Sequence, residues 1–168
     1  MIQYAALLIF PLVMLFAAIS DLMTMKISNL LSIALVVLFC IMAFVVQMPL
    51  KDFGWSMLCG FTVLLITFGM FAMGWIGGGD AKLVSATAIW MGWALLLPYL
   101  LIASVFGGVL TMLLLMFRRF KLPGFLADRE WALRLHKPRG GIPYGVALAA
   151  SAICYYPSTQ IWVSAAAG

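Results

Sequence analysis

Apolar runs close to twenty residues long recur along the chain, separated by brief polar interruptions. Six can be read as helices crossing a hydrocarbon core about 30 Å thick: residues 2–20, 29–47, 55–76, 81–97, 99–117 and 142–163. The fourth is short, and Pro98 alone divides it from the fifth. A re-entrant hairpin, leaving five spans, is the alternative there. Alternation with period two, the mark of barrel strands, is absent. Connections are short apart from residues 118–141, and no linker, low-complexity tract or internal repeat divides the chain. The pattern predicts an all-α, polytopic membrane helical bundle, a single domain over residues 1–168.

Composition agrees. The chain is 66% hydrophobic and 9% charged, with a mean hydropathy of +1.16, far too little polarity to cover a soluble domain of this size. The first run ends in small residues, as a signal peptide does. It lacks a basic leading segment and is long for a cleaved one, so it reads as a span. Cys40, Cys59 and Cys154 stand alone in different runs, without metal or redox spacing, and read as packing residues.

Charge then orients the bundle. With six spans, one side holds Lys26, Lys82, Arg118, Arg119, Lys121, Arg129, Arg134, Lys137 and Arg139, and the other holds Lys51 alone. Basic residues favour the cytoplasmic side, so both termini are expected outside and the long loop in the cytoplasm. Among the five acids, Asp52, Asp128 and Glu130 read as solvated loop charges. Asp21 and Asp80 each stand at the cytoplasmic end of an apolar run, where a carboxylate is costly and marks function.

Locally, "GGGD" (residues 77–80) is open to two readings. It can be a turn, with a glycine ending one helix in the left-handed conformation and Asp80 capping the next. Or the glycines admit something close to the backbone. Asp21, near the C-terminal end of the first helix, faces an unfavourable dipole, while Ser28 is well placed to cap the second. Two carboxylates at one depth on one face suggest a pair sharing a proton, as in an aspartic protease. The dipoles assign the charge to Asp80 and the proton to Asp21.

At these residues the chain resembles the type IV prepilin peptidase family, membrane aspartic proteases of the GxGD kind. Gly77-Gly78-Gly79-Asp80 matches the family's GxGD motif, and Ala81-Lys82-Leu83 continues it. Asp21 is followed six residues later by Ile27-Ser28-Asn29, where the family has Ile-Pro-Asn. Gly141–Gly145, "GIPYG", is similar to the family's late motif. Ser28 departs from the family's proline, but both residues start helices. The larger bifunctional members carry a cysteine-rich cytoplasmic segment and also N-methylate their product. This chain has no such segment, so it looks like the short, peptidase-only form of Flp/Tad-type pili.

The resemblance implies cleavage of prepilin or pseudopilin precursors after a glycine, at the cytoplasmic face of a bacterial inner membrane, with Asp21 and Asp80 catalytic. Gly77 and Gly79 would let a substrate backbone lie close, or let the loop flex on binding. Supporting roles fall to Lys82, Asn29, Pro143, Tyr144 and Gly145. Each also has a plain reading: a snorkelling lysine, a helix cap at Asn29, and a Pro-initiated helix with an interfacial tyrosine. His136 reads as an ordinary loop residue. No metal and no cofactor are called for.

Residues 125–135 predict a short interfacial helix with Ala127, Trp131 and Leu135 on one face. The basic loop 118–141 is expected to bind anionic headgroups, and nothing shapes a nucleic-acid groove. The oligomeric state is left open. The rival class is a small transporter or assembly subunit using Asp21 and Asp80 as proton or ion relays.

Overall fold

The computed structural model describes residues 7–122, 128–137 and 140–167, and every regular element within them is helical. The order is α1 (Ile9–Thr24), α2 (Asn29–Val45), α3 (Leu50–Ala72), α4 (Gly78–Phe117), α5 (Glu130–His136), α6 (Tyr144–Tyr155), a 3-10 turn (Tyr156–Ser158) and α7 (Gln160–Ala167). Helices α3 and α4 are long and apolar enough to cross a membrane, and α1 and α2 are shorter apolar helices. Large side chains such as Phe16, Phe44, Phe61 and Phe68 stand exposed on the outside of the bundle. An exterior this apolar suits lipid rather than water, and the molecule is an integral membrane helical bundle.

The break in α4 is not at Pro98, where the sequence placed it. Gly92 holds the only non-helical backbone inside α4, with φ 62° and ψ 178°, a conformation open to glycine and strained for other residues. Pro98 lies inside the helix beyond the break, where it removes one backbone hydrogen bond without ending the helix. The chain folds back at Gly92. Asp80 and Gly107 line the same cleft, whereas a straight helix would hold them about 40 Å apart.

The segment before the break is the centre of the bundle. From Leu83 to Met91 every residue is buried, as expected of a helix surrounded by others. Helix α4 as a whole packs against α3, α2 and α6, and α6 in turn packs against α1. Near the break, Trp90 lies against Phe10, Phe39 and Tyr156, and its indole N–H donates to the Leu35 carbonyl at 3.0 Å.

Other boundaries moved for local reasons. The third run starts earlier, at Leu50 after Pro49, with Asp52 in the first turn, and ends earlier, before Gly74 at φ 74°. The last run is not one helix: Pro157 sits in the 3-10 turn that separates α6 from α7. Ser28 caps α2 as expected, its hydroxyl accepting from the Leu30 N–H at 3.2 Å. Residues 2–6 of the first run lie outside the described residues. Cys59 is buried, but Cys40 and Cys154 are exposed on the outside of the bundle.

Candidate active site

Asp21 lies within the last turn of α1, which runs on to Thr24 and ends at Met25 in the left-handed conformation. It is buried, at 5% exposure. Its Oδ2 accepts a hydrogen bond from the backbone N–H of Gly145 at 2.7 Å. Gly145 is the second residue of α6, so the donor is one of the N–H groups that a helix start leaves unpaired. The awkward dipole of α1 is therefore offset by the favourable one of α6. Giving the proton to Asp21 on dipole grounds loses its basis, because both carboxylates face helix N-termini.

Asp80 is the third residue of α4 and half-buried. It is not the cap: Gly77 holds that place, with φ −70° and ψ 142°. The glycine run is thus not a left-handed helix end, contrary to the turn reading. What approaches Gly79 is Ile27 of the same chain. A Cβ built on Gly79 would lie 3.1 Å from Ile27 Cβ, and one on Gly145 would lie 2.8 Å from Ile27 Cδ1. The space beside Gly77 is taken by Asp80, whose Oδ2 would lie 3.0 Å from a Cβ there. At Gly79 the room expected for a substrate backbone is filled from within the chain.

Ile27 therefore sits between the turn that carries Asp80 and the helix start that holds Asp21. The two acids share one end of the bundle, with Ile27 packed between their supports. Sequence reasoning quoted Ile27 as part of a motif but gave it no role. An isoleucine carries no chemical signal, and its two glycine contacts come from distant parts of the chain.

Asn29 does not cap its helix. Lys82 Nζ donates to Asn29 Oδ1 at 2.8 Å, on the exposed rim. The pair ties the start of α4 to the start of α2. Pro143 is buried, and Tyr144 is 44% exposed, with its ring over Gly107. An apolar cleft of about 760 Å³ opens between α3, both parts of α4 and the start of α6. Asp80, Gly77 and Tyr144 line one end of it.

Residues 8–112 match the type IV leader peptidase family. The chain belongs to that family. It is a membrane-embedded, type IV leader peptidase-like protease, and membership implies prepilin substrates. Comparison with curated proteins and with solved structures gives no match. In this leader peptidase, the matched part holds Asp21, Asn29, Gly77, Gly79, Asp80 and Lys82. Pro143, Tyr144 and Gly145 lie beyond it, yet Gly145 makes the hydrogen bond to Asp21.

The basic loop differs from its expected form. Helix α5 buries Ala132 and Leu135 against the protein, while Trp131 of the expected face is only half-buried. Ala127 lies outside the described residues. Arg134 Nη1 donates to the Met23 carbonyl at 2.9 Å. Arg118 donates to the carbonyls of Leu135 and Gly141 at 2.7 and 2.8 Å. These two cations close the loop onto the end of α1. Arg119, Lys121, Arg129 and Lys137 stay exposed. His136 meets the ring of Phe117 edge-on. Among the described residues, no group of three or more His, Cys, Asp or Glu side chains gathers.

Proposed function

We propose that the chain is an aspartic endopeptidase in which Asp21 and Asp80 form the catalytic pair. It removes the leader of Flp-like prepilins or pseudopilins by cutting after a glycine at the cytoplasmic face of a bacterial inner membrane. One ionised carboxylate takes a proton from water, and the oxygen attacks the scissile carbonyl. The protonated partner donates to the carbonyl oxygen. The tetrahedral species then collapses, and the leaving amine takes up a proton. Because the two acids titrate as a unit, the roles belong to the pair.

The observation that carries this reading is the convergence of Asp21 and Asp80 at one end of the bundle, through Ile27 and the start of α6. Nine of the ten basic residues fall on the same side in the sequence, which favours the cytoplasmic face. The resemblance to the short form of Flp/Tad-type pili favours a peptidase without N-methyltransferase activity. The test is co-expression with a candidate prepilin, with leader removal followed by gel shift. Wild type is expected to shorten the precursor, and Asp21→Asn and Asp80→Asn are expected to leave it intact. Full processing by either variant overturns the assignment.

A further inference from the structure

The apolar cleft has a direction. At one end stands Asp80, the only charged residue of its lining among the described residues. From there it extends along the second part of α4, where Gly107, Ala103, Leu100 and Leu96 follow at spacings of four, three and four. That is a single helix face, about 16 Å long at the usual rise per residue. The facing wall is α3, with Met70, Ile66 and Val63. The hydroxyls of Thr67 and Ser104 do not make its walls polar. Thr67 and Ser104 donate to carbonyls of their own helices, Val63 and Leu100, each at 2.8 Å.

We propose that this trough seats the apolar helical segment of the substrate on the carboxyl side of the scissile bond. The inference rests on the proposed function and adds where the substrate lies. The family resemblance implies a substrate with a short basic leader, then a glycine, then an apolar helix. Such a substrate must meet a carboxylate at one end of an apolar track. The cleft has that layout. A 16 Å length of helix fills about 1,250 Å³ if about 10 Å wide, more than the 760 Å³ available. One face of the helix therefore sits in the trough while the other meets lipid. Ala103 and Gly107 are small, so the two backbones approach closely.

Charge argues against the other occupants. A phospholipid with a chain in the trough would bring its phosphate beside Asp80, placing like charges together. A second copy of the chain would cover Asp80 and close the site.

The test places a photo-crosslinking benzoylphenylalanine at Leu100, inside the trough, or at Leu101, which is 58% exposed on the outer surface. Both are made in the full-length Asp80→Asn chain in membranes. The probe is a tagged precursor with a basic leader, a glycine and an apolar helix. In parallel, cleavage of that precursor is measured with the unsubstituted chain. The expected result is an adduct between position 100 and the apolar segment of the precursor, none at position 101, and cleavage by the unsubstituted chain.

Cleavage without a precursor adduct at position 100, or an adduct there to phospholipid or to a second copy instead, overturns the inference and leaves the proposed function standing. An adduct without cleavage overturns the proposed function and leaves the trough as the binding site. Neither adduct nor cleavage overturns both. A second measurement uses Ser104→Trp, which fills the trough from its exposed rim. It is expected to slow cleavage at least tenfold, while Leu101→Trp leaves it unchanged. Equal rates for the two variants count against the trough.

Discussion

Gly145 gives its backbone N–H to the Asp21 carboxylate at 2.7 Å, across 124 positions of sequence. This contact fixes one acid at the start of α6 and leaves the other, Asp80, at the end of the apolar cleft. A side chain at position 145 has no room, since its Cβ would lie 2.8 Å from both Asp21 Oδ2 and Ile27 Cδ1. Gly145→Ala is therefore expected to displace Asp21 and lower the cleavage rate at least tenfold. Circular dichroism in detergent should show the helix content unchanged. A rate within twofold of wild type would remove Gly145 from the site.

Asp21→Glu and Asp80→Glu separate a fixed pair from a relay. The longer side chain shifts the carboxylate, and Asp21 is held in a buried contact. A pair that must address one carbonyl should lose activity about a hundredfold or more, since small misplacements of catalytic groups cost that much. A proton relay would keep part of its function. Precursor cleavage by the two variants decides between them.

The pair also predicts a pH profile. Cleavage requires one carboxyl ionised and one protonated. As pH falls both become protonated and no base remains. As pH rises both ionise and no acid remains. The rate should therefore fall on both sides of a maximum. A rate that stays flat down to acidic pH would count against the dyad.

Lys82 and Asn29 form an exposed pair at 2.8 Å, and exposed contacts of this kind contribute only about 0.2–1 kcal/mol. Lys82→Met and Asn29→Ala should each lower the thermal midpoint in detergent slightly, and the double variant no further than the larger of the two. Additive losses in this double-mutant cycle would show that the contact carries no coupling.

At the fold-back, Gly92→Ala forces a side chain into φ 62° and ψ 178°, at a cost of roughly 1–3 kcal/mol. Pro98→Ala should be much milder, because Pro98 already lies inside a helix. Thermal unfolding of the two variants tests the placement of the break.

Much was legible in the order of residues alone. Hydrophobic periodicity and length gave the helical membrane bundle, since a bilayer leaves few other solutions for such runs. The cap at Ser28 was readable because it depends on its immediate neighbours. The two acids stood out because carboxylates beside apolar runs are costly. The Gly92 break was hidden, because a positive φ leaves no trace in composition and Pro98 offered a stronger signal nearby.

The sequence by itself determined the class of molecule and which acids to consider, since burial and charge costs depend on residue type and spacing along one segment. Only the tertiary structure decided what Asp21 leans on, what fills the space at Gly79, and that Lys82 pairs with Asn29 rather than leaving it to cap α2. Those contacts join residues 52 to 124 positions apart. Their geometry depends on how whole helices pack, which no single segment encodes.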